Sequence, residues 1–340
     1  MNNHYFVGVD IGGTNVDALL VDGELNEQGF STAPIRSQNG LRPTAVVIQV
    51  IEMLLADAGV HDRSQIAAIG VGVPGLVDVS TGQVDLAVNL DEPSIALGPI
   101  LENHFGRPVF VENDANAVGL GAAQFLVDSA VENLAFITIG TGVGAGLVLN
   151  GKIFHGSRNM AGEIGHMFVR ESDVQCQCGN YGCLETFVAG PAIARMAQEA
   201  LEIDLTASTL RGFEHIDAAR VFKEAAKSDL IAQKVVNEVG IVLARAMQGM
   251  IMSFDLEKII LGGGISRAGD VLLNPILSEW EKMRNHSVMA AEMLLPEKVE
   301  LCPADYRAGA WGAVAVGVSR SAIGPMVENY IHKEPMALAN

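Results

Sequence analysis

The sequence predicts an α/β protein made of two related halves, and three observations predict it. Apolar, β-rich runs alternate with runs of helical spacing. A strand, glycine turn, strand arrangement over residues 5–22 returns over residues 134–154. The chain has 340 residues, 49% of them apolar, enough to bury two cores. In chain order, residues 5–10 and 18–22 read as strands flanking Gly12-Gly13. Residues 44–58 carry apolar side chains at three- and four-residue spacing and read as an amphipathic helix; 66–73 reads as a strand. A strand over 107–112 runs into a helix over 113–127 whose Asn/Asp start is a capping signal. The second half then opens with a strand at 134–139, a glycine turn at 140–146 and a strand at 147–154. Helices follow at 218–227, 231–252 and 271–283, with a buried strand at 258–261 that ends in Gly262-Gly263-Gly264, and a small-residue helix at 308–322 closes the pattern. No Pro/Ser-rich linker separates the halves, so short hinges are expected near Asn113 and Gly317. The expected division is a small domain over 1–113, joined by a C-terminal helix at 318–340, and a larger domain over 114–317 carrying a loop at 166–183. The residues from His332 onward are expected to fray.

Composition excludes several classes of function. The chain carries 22 Lys and Arg against 40 Asp and Glu, a formal charge of −18, so nucleic acid and anionic lipid would be repelled; solubility alone accounts for the acidity. The N-terminus lacks a basic stretch, an apolar core and a cleavage site. The longest uncharged segment, 133–151, contains five glycines and reads as a turn between strands, not a membrane helix. A cytoplasmic protein is expected, and its 4 cysteines are expected as thiols or metal ligands rather than disulfides.

Four motifs carry chemistry. In Cys176-Gln-Cys178-Gly-Asn-Tyr-Gly-Cys183 three thiolates within eight residues can converge on one tetrahedral ion. His166, ten residues upstream, completes a Cys3His set typical of structural zinc; the plain alternative is three unligated cysteines on a loop. Cys302 stands apart and is expected as a small buried residue. Asp10-Ile-Gly-Gly-Thr-Asn15 ends a strand with two glycines and a hydroxyl, which lets backbone N–H groups approach an anion, although a simple hairpin uses the same residues. A second such turn at Gly140-Thr141-Gly142 would let two loops grip one polyphosphate. Residues 140–145 also fit a dinucleotide pattern, but a strand follows where that pattern needs a helix, and no GxxxxGK[ST] occurs. Asp114, in Glu112-Asn113-Asp114-Ala115-Asn116, sits at a strand-to-helix junction as either a helix cap or a catalytic carboxylate. Glu163 and Glu185 flank the metal loop, as solvated loop charges or as walls of a polar pocket that the metal preorganises.

Together DIGGTN, ENDANA, ITIGTGVGAG, GEIGH followed by CQCGNYGCLE, and LGGGIS resemble the ROK family of sugar kinases and sugar-responsive repressors over about residues 5–320. The glycine turns resemble more broadly those of actin, Hsp70 and hexokinase-like ATPases. The resemblance implies two related actin-like (ribonuclease H-like) α/β domains flanking a cleft, with a zinc-binding loop. It places Asp10 as a water-mediated holder of Mg²⁺, with Gly12, Gly13, Thr14 and Asn15 in the first phosphate loop and Gly140, Thr141 and Gly142 in the second. Gly262, Gly263 and Gly264 fall on the adenosine loop. The sugar positions fall on Gly75, Asn113, Asp114, Glu163, His166 and Glu185, and zinc on His166, Cys176, Cys178 and Cys183. His166 would serve both, one ring nitrogen on the metal and the other toward a hydroxyl. Many relatives carry Asn-Leu-Pro followed by Trp where this chain has Asn89-Leu90-Asp91-Glu92-Pro93, a segment bordering the sugar.

The expected activity is ATP-dependent phosphorylation of the 6-hydroxyl of a hexose, glucose first, with Asp114 as the base and Mg²⁺ and the loop amides on the phosphates. An N-acetylglucosamine or N-acetylmannosamine kinase is the alternative within the class. A sugar-sensing regulator lacking its DNA-binding module is the alternative outside it: a first strand near Tyr5 leaves no room ahead for a helix-turn-helix, and the charge of −18 opposes phosphate contact. A chaperone-type ATPase would not need three clustered acids. The expected partners are sugar and ATP, with no nucleic acid and no membrane, in a homodimer or homotetramer.

Overall fold

The structure, a computed structural model, describes residues 4–35, 42–87, 90 and 92–324. The chain forms two compact units. One takes the chain up to Glu132, then 146–161, then the segment from Asp305; the other takes 133–145 and 162–304.

The first unit opens with β1 (Tyr5–Ile11), β2 (Asn15–Asp22), β3 (Glu27–Pro34), α1 (Pro43–Asp57) and β4 (Ile66–Val73). A small antiparallel sheet follows, β5 (Leu76–Asp78), β6 (Gln83–Ala87) and β7 (Glu92–Ile95), then α2 (Leu97–Phe105), β8 (Val109–Asn113) and α3 (Asp114–Phe125). The main sheet has the order β3-β2-β1-β4-β8, antiparallel across β1–β3 and parallel across β1, β4 and β8. β1 and β4 are covered on both faces, which is why they read as unbroken apolar runs. Val7, Val9 and Ile11 pack toward Val47, Val50 and Ile51 of α1, whose three- and four-residue spacing supplies the matching stripe.

The second unit runs through β9 (Leu134–Ile139) into β10 (Val143–Leu149), which leaves it after Ala145 and turns into β11 (Lys152–Ile153). It resumes with α4 (Glu185–Val188), α5 (Gly190–Ile203), α6 (Ala218–Ala226), α7 (Leu230–Phe254), β12 (Lys258–Gly262), α8 (Asp270–His286), α9 (Val288–Met293) and β13 (Val299–Leu301). The second sheet, β11-β10-β9-β12-β13, repeats the first sheet's order strand for strand, so the duplication read from the sequence is a duplication of topology. Its glycine turn is shorter than expected: β10 begins at Val143, leaving Gly140–Gly142 as the turn. Gly146 lies in the strand because other backbone packs on it; a Cβ there would stand 2.1 Å from the carbonyl oxygen of Ala115. α7 is long and apolar enough to cross a membrane, yet Val239, Leu243, Met247 and Ile251 along it are buried, as in a core helix.

The chain returns to the first unit with α10 (Ala308–Arg320). This helix is made of small residues because it lies directly on backbone: a Cβ at Gly8 would sit 2.4 Å from the Ala310 oxygen, at Gly70 1.9 Å from the Ala313 oxygen, and at Gly121 2.7 Å from the Gly312 Cα. The same packing keeps α3 in the first unit, so the units differ from the expected 1–113 and 114–317. The crossings fall after Glu132, Ala145, Ala161 and Ala304, not at Asn113 and Gly317. α10 ends at Arg320; most of the helix expected over 318–340, residues 325–340, lies outside the described residues, as do Asn89 and Asp91 of the divergent segment.

Candidate active site

In the first unit, Asp10, the last residue but one of β1, pairs with Gly72 of β4. A Cβ at Gly72 would lie 3.8 Å from Asp10 Oδ1 and 3.7 Å from the Asp114 Cα, so this glycine separates two carboxylate-bearing residues. At the start of α10, a Cβ at Gly309 would come within 1.9 Å of Asp10 Oδ2. Burial, then the charges of Asp114 and Asp17, push the Asp10 carboxyl up to about 7. Two further carboxylates thus stand near enough to a buried one to disfavour its charged form.

Asp114 is the first residue of α3, and its Oδ1 accepts from the Ala115 N–H at 2.9 Å. The helix cap is Asn113, whose Oδ1 accepts from Ala115 N at 3.0 Å and Asn116 N at 3.3 Å. Of the two readings of Asp114, capping therefore belongs to its neighbour. Asn113 Nδ2 also donates to the Gly75 carbonyl at 3.3 Å. Gly75 has φ of 128° and leaves 2.8 Å between its would-be Cβ and the Asp85 oxygen, so a side chain is excluded twice over. The turn between β1 and β2 is closed by Gly12 N–H donating to the Asn15 carbonyl at 2.9 Å, with Gly13, Thr14 and Asn15 exposed. The first unit thus gathers Asp10, Asp114, Asn113 and Gly75 near the ends of β1, β4 and β8.

In the second unit, His166, Cys176, Cys178 and Cys183 offer ligand atoms that all lie within 4.8 Å of one another. His166 Nδ1 is 3.6 Å from Cys176 Sγ, and Cys178 Sγ is 3.7 Å from Cys183 Sγ. A tetrahedral zinc ion spaces such ligands by roughly 3.3–3.8 Å, so the residues fit the ion. Burial raises the Cys176 thiol and pushes Cys183 up to about 12, while the Asn180 backbone N–H holds Cys178 lower. A coordinated cation is what would let three thiolates coexist there. His166 Nε2, the other ring nitrogen, stands 3.9 Å from Glu163 Oε2. Cys302 is half-buried, less enclosed than expected, and outside this set.

Glu185, at the start of α4, joins the metal loop to the glycine turn: its Oε2 accepts from Val143 N at 2.9 Å and its Oε1 is 3.9 Å from Cys176 Sγ. A Cβ at Gly142 would stand 2.9 Å from Glu185 Oε2, so a side chain there would push this carboxylate aside. Gly190 N–H donates to the Gly140 carbonyl at 2.8 Å. Gly140, Thr141 and Gly264 line a cavity of about 840 Å³, while Gly262 packs on the Phe136 ring and Gly263 on the Ile139 carbonyl beneath it. The other walls, including Pro191, Ile216, Phe222, Arg267 and Val271, were not read from the sequence. Two local signals pointed there, Gly190-Pro191 opening α5 and the Asp217 cap of α6.

Two sheets of one strand order, two glycine turns each following a first strand, and a Cys3His cluster are on hand. The chain belongs to the ROK family, whose sequence pattern matches residues 6–318. It is 35% identical over 288 residues to a glucokinase of Halalkalibacterium halodurans, covering 83% of this chain and 86% of that one. Among solved structures it is similar to a ROK family glucokinase from Streptomyces griseus in complex with glucose and AMPPNP, with a TM-score of 0.72, 28% identity, and 93% and 99% of the two chains covered. It is also similar to a ROK family transcriptional regulator, a homolog of the Escherichia coli MLC protein, with a TM-score of 0.78, 26% identity, and 97% and 79% covered.

Proposed function

We propose that the protein transfers the γ-phosphate of ATP to the 6-hydroxyl of a hexose, glucose being the substrate assigned. That it is a sugar kinase, phosphorylating a hydroxyl, rests on its family and its glucokinase relatives. The observation that carries the mechanism is the Asp10–Asp114 pair beside Gly72, in a chain 35% identical to a glucokinase. Asp114 accepts the proton of the 6-hydroxyl as that oxygen attacks the γ-phosphorus; the bond to the bridging oxygen breaks and ADP leaves. With a loose transition state the base need not take the proton early, so orientation of the hydroxyl matters more than basicity. Gly75, Asn113, Glu163, His166 and Glu185 bind the sugar's other hydroxyls. Gly12, Gly13, Thr14 and Asn15, with Gly140, Thr141 and Gly142, offer backbone N–H groups to the phosphates. The cavity at Gly264 takes the adenosine, with Gly262 and Gly263 supporting that loop. Mg²⁺, held through Asp10, would supply charge neutralisation at the phosphates. Zn²⁺, held by His166, Cys176, Cys178 and Cys183, would supply a rigid loop under Glu163 and Glu185. A cytoplasmic homodimer or homotetramer without nucleic-acid or membrane partners completes the reading.

An N-acetylhexosamine substrate is the alternative within the kinase class. The regulator similarity supports a second reading, a sugar sensor. ADP release measured over a panel of hexoses and N-acetylhexosamines, with calorimetric sugar binding alongside, separates the three. Glucose should give the highest kcat/KM, and Asp114→Asn should lower kcat at least about 10²-fold while binding sugar. A preference for an N-acetylhexosamine would reassign the substrate, and binding without turnover would favour the sensor.

A further inference from the structure

The carboxylate of Glu112 is 1% exposed, one residue before Asn113, and has no place in the chemistry above. Its Oε1 accepts from the backbone N–H of Asn113 at 3.0 Å and from Asn116 Nδ2 at 3.2 Å. Its Oε2 meets an Arg320 guanidinium nitrogen at 2.8 Å and His155 Nε2 at 2.8 Å. A carboxylate paired with arginine is ionised and can only accept, so the His155 tautomer with hydrogen on Nε2 is the one that fits. A buried charge is costly unless all its lone-pair directions are used, and here four donors use them. The partners are not a random sample of the unit. Asn113 caps the helix that begins with Asp114 and reaches Gly75; Asn116 lies one turn further along α3. His155 opens the segment 155–161, the last stretch of the first unit before the chain continues to Gly162-Glu163. That segment is fastened a second time within the unit, by Asn159 Nδ2 on the Val77 carbonyl at 3.1 Å.

We infer that Glu112, through its hydrogen bonds to His155 and Asn113, is a positioning residue that fixes the strand-to-helix junction carrying Asp114 against the segment 155–161. It touches no reacting atom; it acts through Asn113 and through the His155 ring. The inference rests on the kinase reading for the meaning of Asp114, but its geometric content does not.

The test uses the full-length protein with His155→Ala, His155→Gln, and His155→Ala in a Glu112→Gln background. The glutamine amide can replace the Nε2–H donor, and the side chain of His155 is 24% exposed, so the two single substitutions at 155 leave the apolar core intact. His155→Ala should lower kcat for the sugar at least about tenfold with the ATP KM within about threefold, and His155→Gln should restore kcat to within about threefold of wild type. In the Glu112→Gln background His155→Ala should have less than about a threefold further effect, because the pair acts as one unit. Amide hydrogen exchange over 113–116 and 155–161 should speed up in His155→Ala and return to the wild-type rate in His155→Gln. Wild-type kcat in His155→Ala, an unrescued His155→Gln, or unchanged exchange in both segments would overturn the inference. If the wild-type protein phosphorylates no sugar, the kinase reading falls, and the exchange arm still decides the positioning claim.

Discussion

Asp10 is where the residue scale is most informative, because its surroundings are arranged against its own charge. Two glycines leave it room, and its neighbours are carboxylates rather than bases. Its folded pKa stands at about 7 against 3.8 unperturbed, so between those values the folded protein holds a proton that the unfolded chain has lost. The stability linked to that proton is fully present below about pH 4 and lost as pH rises through about 7. Metal-free protein should therefore melt at progressively lower temperature across that window, and Asp10→Asn should flatten the slope. Added Mg²⁺ should raise the melting temperature of wild type at the alkaline end and not that of the variant, as thermal melts would show. Asp10 and Asp114 were both legible in the sequence as strand-end carboxylates. Their proximity was not, since it depends on Gly72 lying beside them on a strand sixty residues away from the first. The division of labour at 113 and 114 was equally hidden, because either Asn or Asp can cap a helix and only the hydrogen bonds separate them.

At the scale of elements, α3 and α10 meet through glycine rather than through interdigitating side chains. Gly121 faces the Gly312 backbone, where a methyl group would stand 2.7 Å from a Cα, so the helices must part to admit it. Gly121→Ala should cost about 1–3 kcal/mol in urea unfolding. It should do so although alanine is the better helix former, which distinguishes packing from propensity. The metal loop is an element with little apolar core of its own, built from turns and two isolated strand bridges, Phe168 with Cys183 and Gln175 with Tyr181. Its order should depend on the ion. Purified without chelator, the protein should carry one zinc per chain by metal analysis, and Cys178→Ser should lower both zinc content and melting temperature. The cysteine spacing made this cluster readable in advance. The join from Glu185 to Val143 was not, because the two positions are brought together by the fold and no local pattern marks the pair.

For the whole molecule, the repeated strand order explains why the internal duplication was visible at all: each half begins with a strand, a glycine turn and a strand, and the turn chemistry survives where side chains do not. The domain limits were less legible, since a chain that crosses between units four times leaves no linker composition behind. The formal charge of −18 sets a further expectation. The protein should leave duplex DNA unshifted in a gel-retardation assay at physiological salt, because counterion release has few cations to work with. The place of α10 also bears on how the chain is made. Gly8 and Gly70, on strands synthesised early, are backbone seats for a helix that spans Ala308–Arg320. At about 5–20 residues per second a ribosome needs roughly 15–60 s to reach that helix after starting the first strand. For that interval the seats at Gly8 and Gly70 stand uncovered, so this unit cannot complete its packing in order of synthesis and must wait for α10.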